Sequence, residues 1–545
     1  MGFYHERYFV DSRRCRYILW YRPLKCNYLV LIVFMQILLW ALILIATGVY
    51  ISGPIVDPDL WWHLTVGRWI VAHGEIPSVD YWNMFALGEP WRAYSWLSEI
   101  VVALVDGRFG PHGLLTLKFI LAGSLGLSLG LAFRAIARDG FLGALLGVFA
   151  TLACHNHFTL RPQSLVWIFF ALLLALADRI ETEGLSRRRA VWLALLMCLW
   201  ANTHITTVLG IGALALWLFN GLGSIGLVVR ACGVAFLGTL ITPYFGGEWL
   251  TFLSKTGHPL QMQAIAEFAP ATIMQHSTAF LVIIVGLFGA FALRRPNLIE
   301  PGKIILAGGF TIAGLAVVKF LPFAVLVWCG LVAVMWRRTR GEPAILGNLA
   351  EGLERLRRLV GALPYEGLSF LVICTMIVNI YNVWPEPVSR TIVPLEAVDF
   401  IEQHRLAHPI LNDFGRGGYM MYRLSGADGS IQHPVPIDGR TNVTPKDVWE
   451  KAHASFQGSA RWEEYLKLVK PETILWKSES PLISILEARG DWCVVFRRGS
   501  VEFGYVVLIK RTEFEARPGE FSSPACEPAA RSGAEGGDAP ADARS

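Results

Sequence analysis

The chain has 545 residues, of which 54% are hydrophobic and 17% are charged, and its mean hydropathy is +0.46. This composition excludes a purely soluble enzyme, a disordered chain, a collagen and a coiled coil. The net charge of +5 does not indicate nucleic-acid binding, because excess Lys and Arg in a membrane protein usually marks its cytoplasmic connections. We therefore expect an integral membrane protein that contacts membrane lipids and binds no nucleic acid.

The first apolar run, residues 28–51, carries no charge and predicts a membrane-spanning helix. At about 1.5 Å per residue this helix would be roughly 36 Å long, which exceeds the hydrocarbon core of about 30 Å. Further apolar runs bring the expected number of spans to about eleven. These further runs begin near residues 112, 141, 160, 190, 205, 225, 278, 303, 320 and 366.

Basic residues cluster before residue 28 and in alternate connections after it. Because positive loops stay in the cytoplasm, the N-terminus is expected inside and the region after the last span outside. The sequence thus predicts a cytoplasmic segment (1–27), a transmembrane domain (28–385), an extracytoplasmic domain (386–512) and a disordered tail (513–545). The tail is rich in Ala, Gly, Pro, Ser and Glu, a composition that cannot bury a core.

Short apolar strands and helical patterns alternate between residues 386 and 512, which predicts a small α/β domain. The expected fold class is therefore an α-helical polytopic membrane protein with a small soluble α/β domain at its C-terminal end. The predicted strands are 409–411, 434–437 and 473–476, with a closing hairpin over 492–510.

The nine cysteines show no metal-binding or redox spacing. Most of them lie in apolar runs, where cysteine behaves as a small core residue. Because Cys526 falls in the predicted tail, we expect no disulfide between it and Cys493.

The densest chemical signal follows the first span directly. Residues 57–64 read Asp-Pro-Asp-Leu-Trp-Trp-His-Leu, which puts two carboxylates and an imidazole at the predicted outer surface. If a helix begins at Asp59, His63 lies one turn further, where the two side chains can share a proton or bind a divalent metal ion. The structural alternative is that Asp59 caps the helix and the tryptophans anchor the membrane interface.

The residues that follow carry a resemblance to a known family. A helical pattern ends near Gly74, a proline follows at residue 77, and residues 95–99 (Ser-Trp-Leu-Ser-Glu) begin a second amphipathic helix before the next span. This pattern resembles the first outer loop of glycosyltransferase superfamily C, which includes the protein O-mannosyltransferases, the aminoarabinose transferases of lipid A and the catalytic subunits of oligosaccharyltransferases. The motif around Asp57, with Gly67, also resembles a bacterial branch of these membrane proteins.

The resemblance implies an enzyme that transfers a sugar from a polyprenyl phosphate carrier to an extracytoplasmic lipid, glycan or protein in the bacterial inner membrane. It implies that an acidic residue of this loop acts as general base or metal ligand. The fifteen-residue distance from Asp59 to Gly74 favours Asp59 for this role, and Asp57 is the second candidate. The chain lacks the Asp-Glu pair of O-mannosyltransferases and the Trp-Trp-Asp signature of oligosaccharyltransferases, so their substrates are not carried over. Further residues expected to line the site are His63, Asp80 and Glu99.

A departing lipid phosphate needs a cation, and a fixed charge at the end of a span is costly unless it is used. Arg161 and Lys319 are the expected ligands of the donor phosphate. The alternative for both is a side chain that reaches lipid headgroups. His204 is a further expected lining residue, or else a hydrogen-bonded histidine at a helix end.

A second outer loop is predicted over residues 243–277. It offers Glu267 as a second carboxylate of the site, with the alternative of a solvated loop residue. His258 and His276 lie in the same loop, but their spacing is not diagnostic of a site.

In the soluble domain, Asp413 and the Asp438-Gly439-Arg440 segment each follow a predicted strand. Because α/β sheets bind ligands at the carboxyl ends of strands, Asp413, Asp438 and Arg440 are candidates for contact with the acceptor. The structural alternative is a helix cap at Asp413 and a turn at Asp438.

Two other function classes remain open from the sequence. A transporter or flippase of a lipid-linked or polar solute usually has repeated halves and polar residues at mid-membrane, whereas the polar residues here cluster at one face. A non-catalytic membrane scaffold is the other alternative.

Overall fold

The computed structural model describes residues 23–255, 265–339, 343–361, 364–499, 504–524 and 526. The chain divides into two compact units: the first contains Met1–Ser78 and Arg92–Ser389, and the second contains Val79–Trp91 and Arg390–Ser545. The segment 79–91 comes from the middle of the first predicted outer loop. It belongs to the second unit, whereas the sequence predicts it in the transmembrane domain.

In its described residues, the first unit consists mostly of helices joined by loops and short 3-10 turns. Its first seven helices are α1 (Pro23–Ile51), α2 (Leu60–His73), α3 (Trp96–Ala137), α4 (Gly140–Ala153), α5 (Gln163–Glu183), α6 (Arg187–Ala201) and α7 (Thr207–Leu218). The further helices among the described residues are α8 (Ile225–Thr239), α9 (Gly247–Lys255), α10 (His276–Arg294), α11 (Pro301–Ala316), α12 (Leu321–Thr339), α13 (Pro343–Gly361) and α14 (Tyr365–Val383). Short 3-10 turns include His155–His157, Ala266–Phe268 and Val318–Phe320.

Each predicted apolar run coincides with a helix, which confirms a predominantly helical chain with several apolar helices. Within the described residues, six stretches are long and apolar enough to cross a membrane: Val33–Ile51, Trp96–Ala137, Leu222–Thr239, His276–Arg294, Val318–Thr339 and Tyr365–Val383. The helices α4, α7 and α11 are apolar but shorter. The count of about eleven spans therefore stays a prediction.

Two glycines shape the chain around α2 and α3. Helix α2 ends at Gly74, whose φ of 69° is a left-handed conformation suited to glycine. Helix α3 is kinked at Gly110, with φ of 61°, and Pro111 follows. The kink separates the part of α3 next to the first outer loop from the apolar part predicted to begin near residue 112.

The second unit contains a four-stranded mixed sheet in the order β1-β2-β4-β3, with β1 parallel to β2 and the other pairs antiparallel. Its strands are β1 (Ile410–Asn412), β2 (Thr473–Lys477), β3 (Trp492–Gly499) and β4 (Gly504–Lys510). Its helices are α15 (Leu395–Gln403), α16 (Phe414–Leu424), α17 (Lys446–Gln457), α18 (Glu463–Val469), α19 (Pro481–Arg489) and α20 (Arg511–Ala516). A small α/β unit is therefore present, as the alternating pattern predicts.

The strand predicted over residues 434–437 is wrong. Val435 makes only an isolated bridge to Asn83, a residue of the 79–91 segment. The apolar alternation there reflects burial against this short segment rather than a place in the sheet.

The predictions for the cysteines and the start of the tail also need correction. Cys493 and Cys526 form a disulfide across 33 residues, and Cys526 is buried. Helix α20 continues the ordered chain past residue 512, and Phe521 packs close to Phe400. A few apolar side chains thus hold the first part of the tail against the unit, although its average composition is polar. Residues beyond 526 lie outside the described residues.

Candidate functional site

Three carboxylates converge on Arg161 in the first unit. Its Nε pairs with Asp57, and its Nη1 lies 3.2 Å from Asp59 Oδ2 and 2.6 Å from Glu267 Oε1. The two aspartates precede α2, Arg161 precedes α5, and Glu267 lies in the turn Ala266–Phe268. The structure thus brings together four residues that the sequence singles out in three separate segments.

Asp57 and Asp59 have different surroundings. The side chain of Asp57 is 1% exposed, and its Oδ1 accepts a hydrogen bond from the backbone N–H of Asp59 at 2.8 Å. Lys118 fixes the chain just before them by donating to the carbonyl oxygens of Gly53 (2.8 Å) and Pro54 (2.7 Å). Asp59 is 23% exposed and makes no side-chain cap to α2. Asp57 therefore holds Arg161 in place, and Asp59 is the more accessible of the two aspartates.

The surroundings of Asp59 suit a general base. Partial burial raises its pKa to about 7; Arg161 opposes this shift, and the charges of Asp57 and Glu267 add to it. A base is most effective when its pKa lies near the working pH, because it is then both available and strong enough to take a proton.

An apolar cavity of about 210 Å³ opens beside Arg161 in the same unit. Its walls are mainly leucine and valine side chains with Phe169, and its polar residues are His63, Ser98, Arg161 and Thr203. A cavity with apolar walls and one guanidinium suits a ligand with a hydrocarbon part and an anionic head. Arg161 thus belongs both to the carboxylate cluster and to the apolar cavity.

His63 pairs with Glu99, a residue of helix α3. Its Nδ1 lies 2.9 Å from Glu99 Oε1, and both side chains are buried. Gly67 makes this pairing possible, because a Cβ at residue 67 would lie 2.0 Å from the carbonyl oxygen of Glu99. The glycine lets α2 and α3 approach closely enough for their polar side chains to meet.

A divalent metal ion held by Asp59 and His63 stays a prediction, because the two residues engage other partners in this structure. The carboxylate of Asp59 is directed to Arg161, and the Nδ1 of His63 is engaged with Glu99. In the described part of the chain, no group of three or more His, Cys, Asp or Glu side chains is placed to hold a metal. We therefore derive no step through a metal ion.

The second predicted cation, Lys319, lies next to the same turn. Its Nζ is 3.6 Å from the centre of the Phe268 ring, and Phe268 follows Glu267 directly. The turn Ala266–Phe268 thus contacts Arg161 through one residue and Lys319 through the next. His258 of the same predicted loop lies outside the described residues.

His204 forms a local contact at the start of α7. Its Nδ1 lies 2.9 Å from the hydroxyl of Thr206, which agrees with the helix-end alternative. Its neighbour Thr203 lines the apolar cavity. His204 itself is not among the cavity residues.

Asp80, Asp438 and Arg440 lie together inside the second unit. Arg440 pairs with Asp80, and its Nη2 lies 2.8 Å from Asp438 Oδ2, with every side chain at most 1% exposed. The guanidinium also lies 4.8 Å from the Trp91 ring. Burial raises the pKa of Asp80, and the positive charge of Arg440 opposes that shift. These three residues stabilise the core of the unit, so contact with an acceptor would require them to leave it.

Asp413 caps α16, which agrees with the helix cap predicted as the alternative to acceptor contact. Its Oδ1 accepts from the backbone N–H of Gly415 at 2.9 Å and pairs with Arg416 at 3.0 Å. The side chain is buried, which leaves it poorly placed for a soluble acceptor.

Lys118 and Phe268 are among the residues of the site that the sequence does not single out. Lys118 is a buried charge within an apolar run, and a lone lysine in a predicted span is a signal that could have revealed it. Phe268 carries no such signal, because one more phenylalanine in an aromatic-rich chain is not distinctive.

The chain matches no protein-family model and no curated protein sequence. Solved structures of two kinds are among those similar to it. ArnT from Cupriavidus metallidurans bound to undecaprenyl phosphate has a TM-score of 0.47 and 14% identity, over 88% of this chain and 98% of that chain. The Archaeoglobus fulgidus oligosaccharyltransferase tethered with an acceptor peptide has a TM-score of 0.46 and 10% identity, over 85% of this chain and 73% of that chain.

The same oligosaccharyltransferase in complex with Zn and sulfate is similar to the same extent, with a TM-score of 0.46 over 85% of this chain and 72% of that chain. The TM-scores are modest, so the residues of this chain alone carry the functional proposal.

Proposed function

We propose that the protein is a membrane glycosyltransferase that moves a sugar from a polyprenyl phosphate carrier to the hydroxyl group of an extracytoplasmic acceptor. One observation carries the proposal: Arg161 lines an apolar cavity and also pairs with Asp59, a partly exposed carboxylate. The cavity suits a prenyl chain, the guanidinium suits its phosphate, and the carboxylate suits the acceptor hydroxyl.

The chemical step follows from this placement. Asp59 takes the proton of the acceptor hydroxyl while the hydroxyl oxygen bonds to the anomeric carbon of the sugar. The bond from that carbon to the phosphate oxygen breaks, and its electron pair leaves with the phosphate. Arg161 stabilises the charge that develops on the phosphate, an effect typically worth several kcal/mol in a water-poor site. Asp57 keeps Arg161 in position throughout.

The same proposal places the second unit on the extracytoplasmic side of the bacterial inner membrane. The disulfide between Cys493 and Cys526 supports this side, because disulfides persist in oxidising compartments and are rare in the cytosol. Cys154, Cys198, Cys232, Cys329 and Cys374, all in the first unit, are free thiols. This placement agrees with the excess of basic residues before the first span.

The proposal is tested by mass spectrometry of lipid-linked sugars and surface glycans from cells that lack the gene. The cells are complemented with the wild type or with Asp59→Asn. We expect one lipid-linked sugar to accumulate and one glycan to lose that sugar, with both restored only by the wild type. Identical profiles in all strains would rule out the transferase and favour transport or scaffolding.

A further inference from the structure

The charges around Arg161 create a conflict with its role as a phosphate ligand. Asp57, Asp59 and Glu267 all pair with Arg161, and Lys319 contacts Phe268 on the turn that carries Glu267. The three carboxylates already occupy the guanidinium that a lipid phosphate would bind. One carboxylate must therefore give way when a phosphate binds, an argument that rests on the proposed function.

Glu267 is the carboxylate that can leave most easily. Its side chain is 36% exposed, against 23% for Asp59 and 1% for Asp57. Asp57 is further committed to the backbone N–H of Asp59, and Asp59 is the proposed base. An exposed carboxylate regains its hydration when an ion pair opens, so the release of Glu267 has the smallest free-energy cost of the three.

The turn that carries Glu267 is fixed to the rest of the first unit by its backbone. The carbonyl oxygen of Ala269 accepts from the N–H of Val318 at 2.9 Å, and the N–H of Ala271 donates to the carbonyl of Leu315 at 2.9 Å. This anchoring keeps Glu267 within reach of Arg161, and a change of side-chain rotamer is enough to open the ion pair. Phe268, on the same turn, covers Lys319.

We propose that Glu267 is an internal competitor for the donor phosphate. Its carboxylate and the phosphate of the lipid carrier bind Arg161 alternately, and the Phe268 ring uncovers Lys319 when the phosphate binds. No covalent step is involved, because the exchange replaces one anion by another on the same guanidinium. The competitor weakens the binding of both the donor and the prenyl phosphate product, and so speeds the release of the product.

The test is the affinity of the purified full-length protein for undecaprenyl phosphate in detergent. We expect Glu267→Gln to bind this lipid roughly three- to tenfold more tightly than the wild type, since an anionic competitor is lost while the volume of the side chain is kept. Glu183→Gln is the matched control, because Glu183 is an exposed glutamate paired with another arginine, Arg189. Its affinity should equal that of the wild type.

The direction of the change in affinity distinguishes a competitor from a residue that contacts the substrate. A site residue that contacts substrate directly would give weaker binding or slower transfer on substitution, and an affinity of Glu267→Gln equal to or below that of the wild type would overturn the inference. Such a result would leave the proposed function standing, because the wild type would still bind the lipid. Failure of the wild type to bind undecaprenyl phosphate at all would overturn both this inference and the proposed carrier.

Discussion

Asp80 and Arg440 are separated by 360 residues in the chain and form an ion pair that is almost completely buried inside the second unit. Asp80 comes from the first predicted outer loop, and Arg440 comes from the C-terminal domain. The pair, together with Asp438, ties the 79–91 segment into the core of that unit. The loop that contains the candidate base thus continues directly into the second unit.

Arg440→Met should destabilise the protein by about 3–5 kcal/mol, because it leaves two buried aspartates without a cation. Unfolding in detergent, followed by heat or by denaturant, measures the loss. Lys451→Met is the control, since Lys451 pairs with Asp447, which is 67% exposed, and its loss should cost under about 0.5 kcal/mol. Equal stability of the two variants would show that the buried cluster contributes little.

Asp59→Asn should reduce transfer about 10²- to 10⁴-fold while the protein stays folded, because the base is lost and the side chain is partly exposed. Asp57→Asn should lower the unfolding temperature instead, because Asp57 is buried against Arg161. The comparison requires transfer rates and unfolding temperatures for both variants. A fully active Asp59→Asn protein at wild-type abundance would exclude Asp59 as the base.

The pKa of Asp59, raised to about 7, predicts a pH dependence for transfer. Only the ionised carboxylate accepts a proton, so the rate should rise with pH up to about 7 and level off above it.

The stability of the fold should change with pH in the opposite direction to the rate. Because the pKa in the folded state exceeds the ordinary value of 3.8, the contribution of Asp59 to stability is fully present below about pH 4 and is lost as the pH rises through about 7.

Two measurements test this dependence: the transfer rate and the unfolding temperature, each as a function of pH. Both are made on the wild type and on Asp59→Asn. The stability change between pH 4 and 7 should be smaller in the variant. A rate that is flat from pH 5 to 8 would contradict the assignment of Asp59 as base.

Arg161→Lys should lower transfer by about 10²-fold, although it keeps the positive charge. One ammonium group cannot reproduce the planar fork that holds Asp57 through Nε and Asp59 through Nη1. Arg68→Lys, at the Arg68–Asp106 ion pair of the same unit, is the control and should stay near wild-type activity. Transfer rates of the two variants at equal protein level provide the measurement, and similar losses in both would contradict a special role for Arg161.

The disulfide makes the orientation of the second unit testable. Because Cys493 and Cys526 are both buried, in intact spheroplasts a membrane-impermeant maleimide should label them only once a membrane-impermeant reductant has opened the disulfide and released the chain around Cys526. Cys493→Ser should destabilise the second unit by about 2–4 kcal/mol, because it releases a closed loop of the chain. Labelling without reduction would contradict the disulfide, and labelling only after the membrane is permeabilised would contradict the extracytoplasmic position of the second unit.

The helices of the first unit and most elements of the α/β unit could be predicted because each depends on a local pattern of apolar residues. The C-terminal end of α2 could also be predicted from a local signal, since Gly74 supplies the left-handed residue there. The attachment of residues 79–91 could not be predicted, because Trp82 and Asn83 find their partners more than 340 residues away. The strand expected at Val435 failed for the same reason.

Within the candidate site, residue types could be predicted but not their pairings. Two aspartates, an arginine and a glutamate are each visible as charges near apolar runs, and a sequence alone does not show that one guanidinium binds all three carboxylates. His63 illustrates the limit, because helical spacing favours Asp59 as its partner and the close approach at Gly67 provides Glu99 instead.

The central claim is that this protein consumes a lipid-linked sugar, with Asp59 as base. The most direct test incubates the purified wild type and Asp59→Asn, each in nanodiscs, with a lipid extract from cells that lack the gene, and measures the prenyl phosphate released by mass spectrometry. The account predicts release of prenyl phosphate and loss of one lipid-linked sugar with the wild type only. Equal profiles for the two proteins would contradict it.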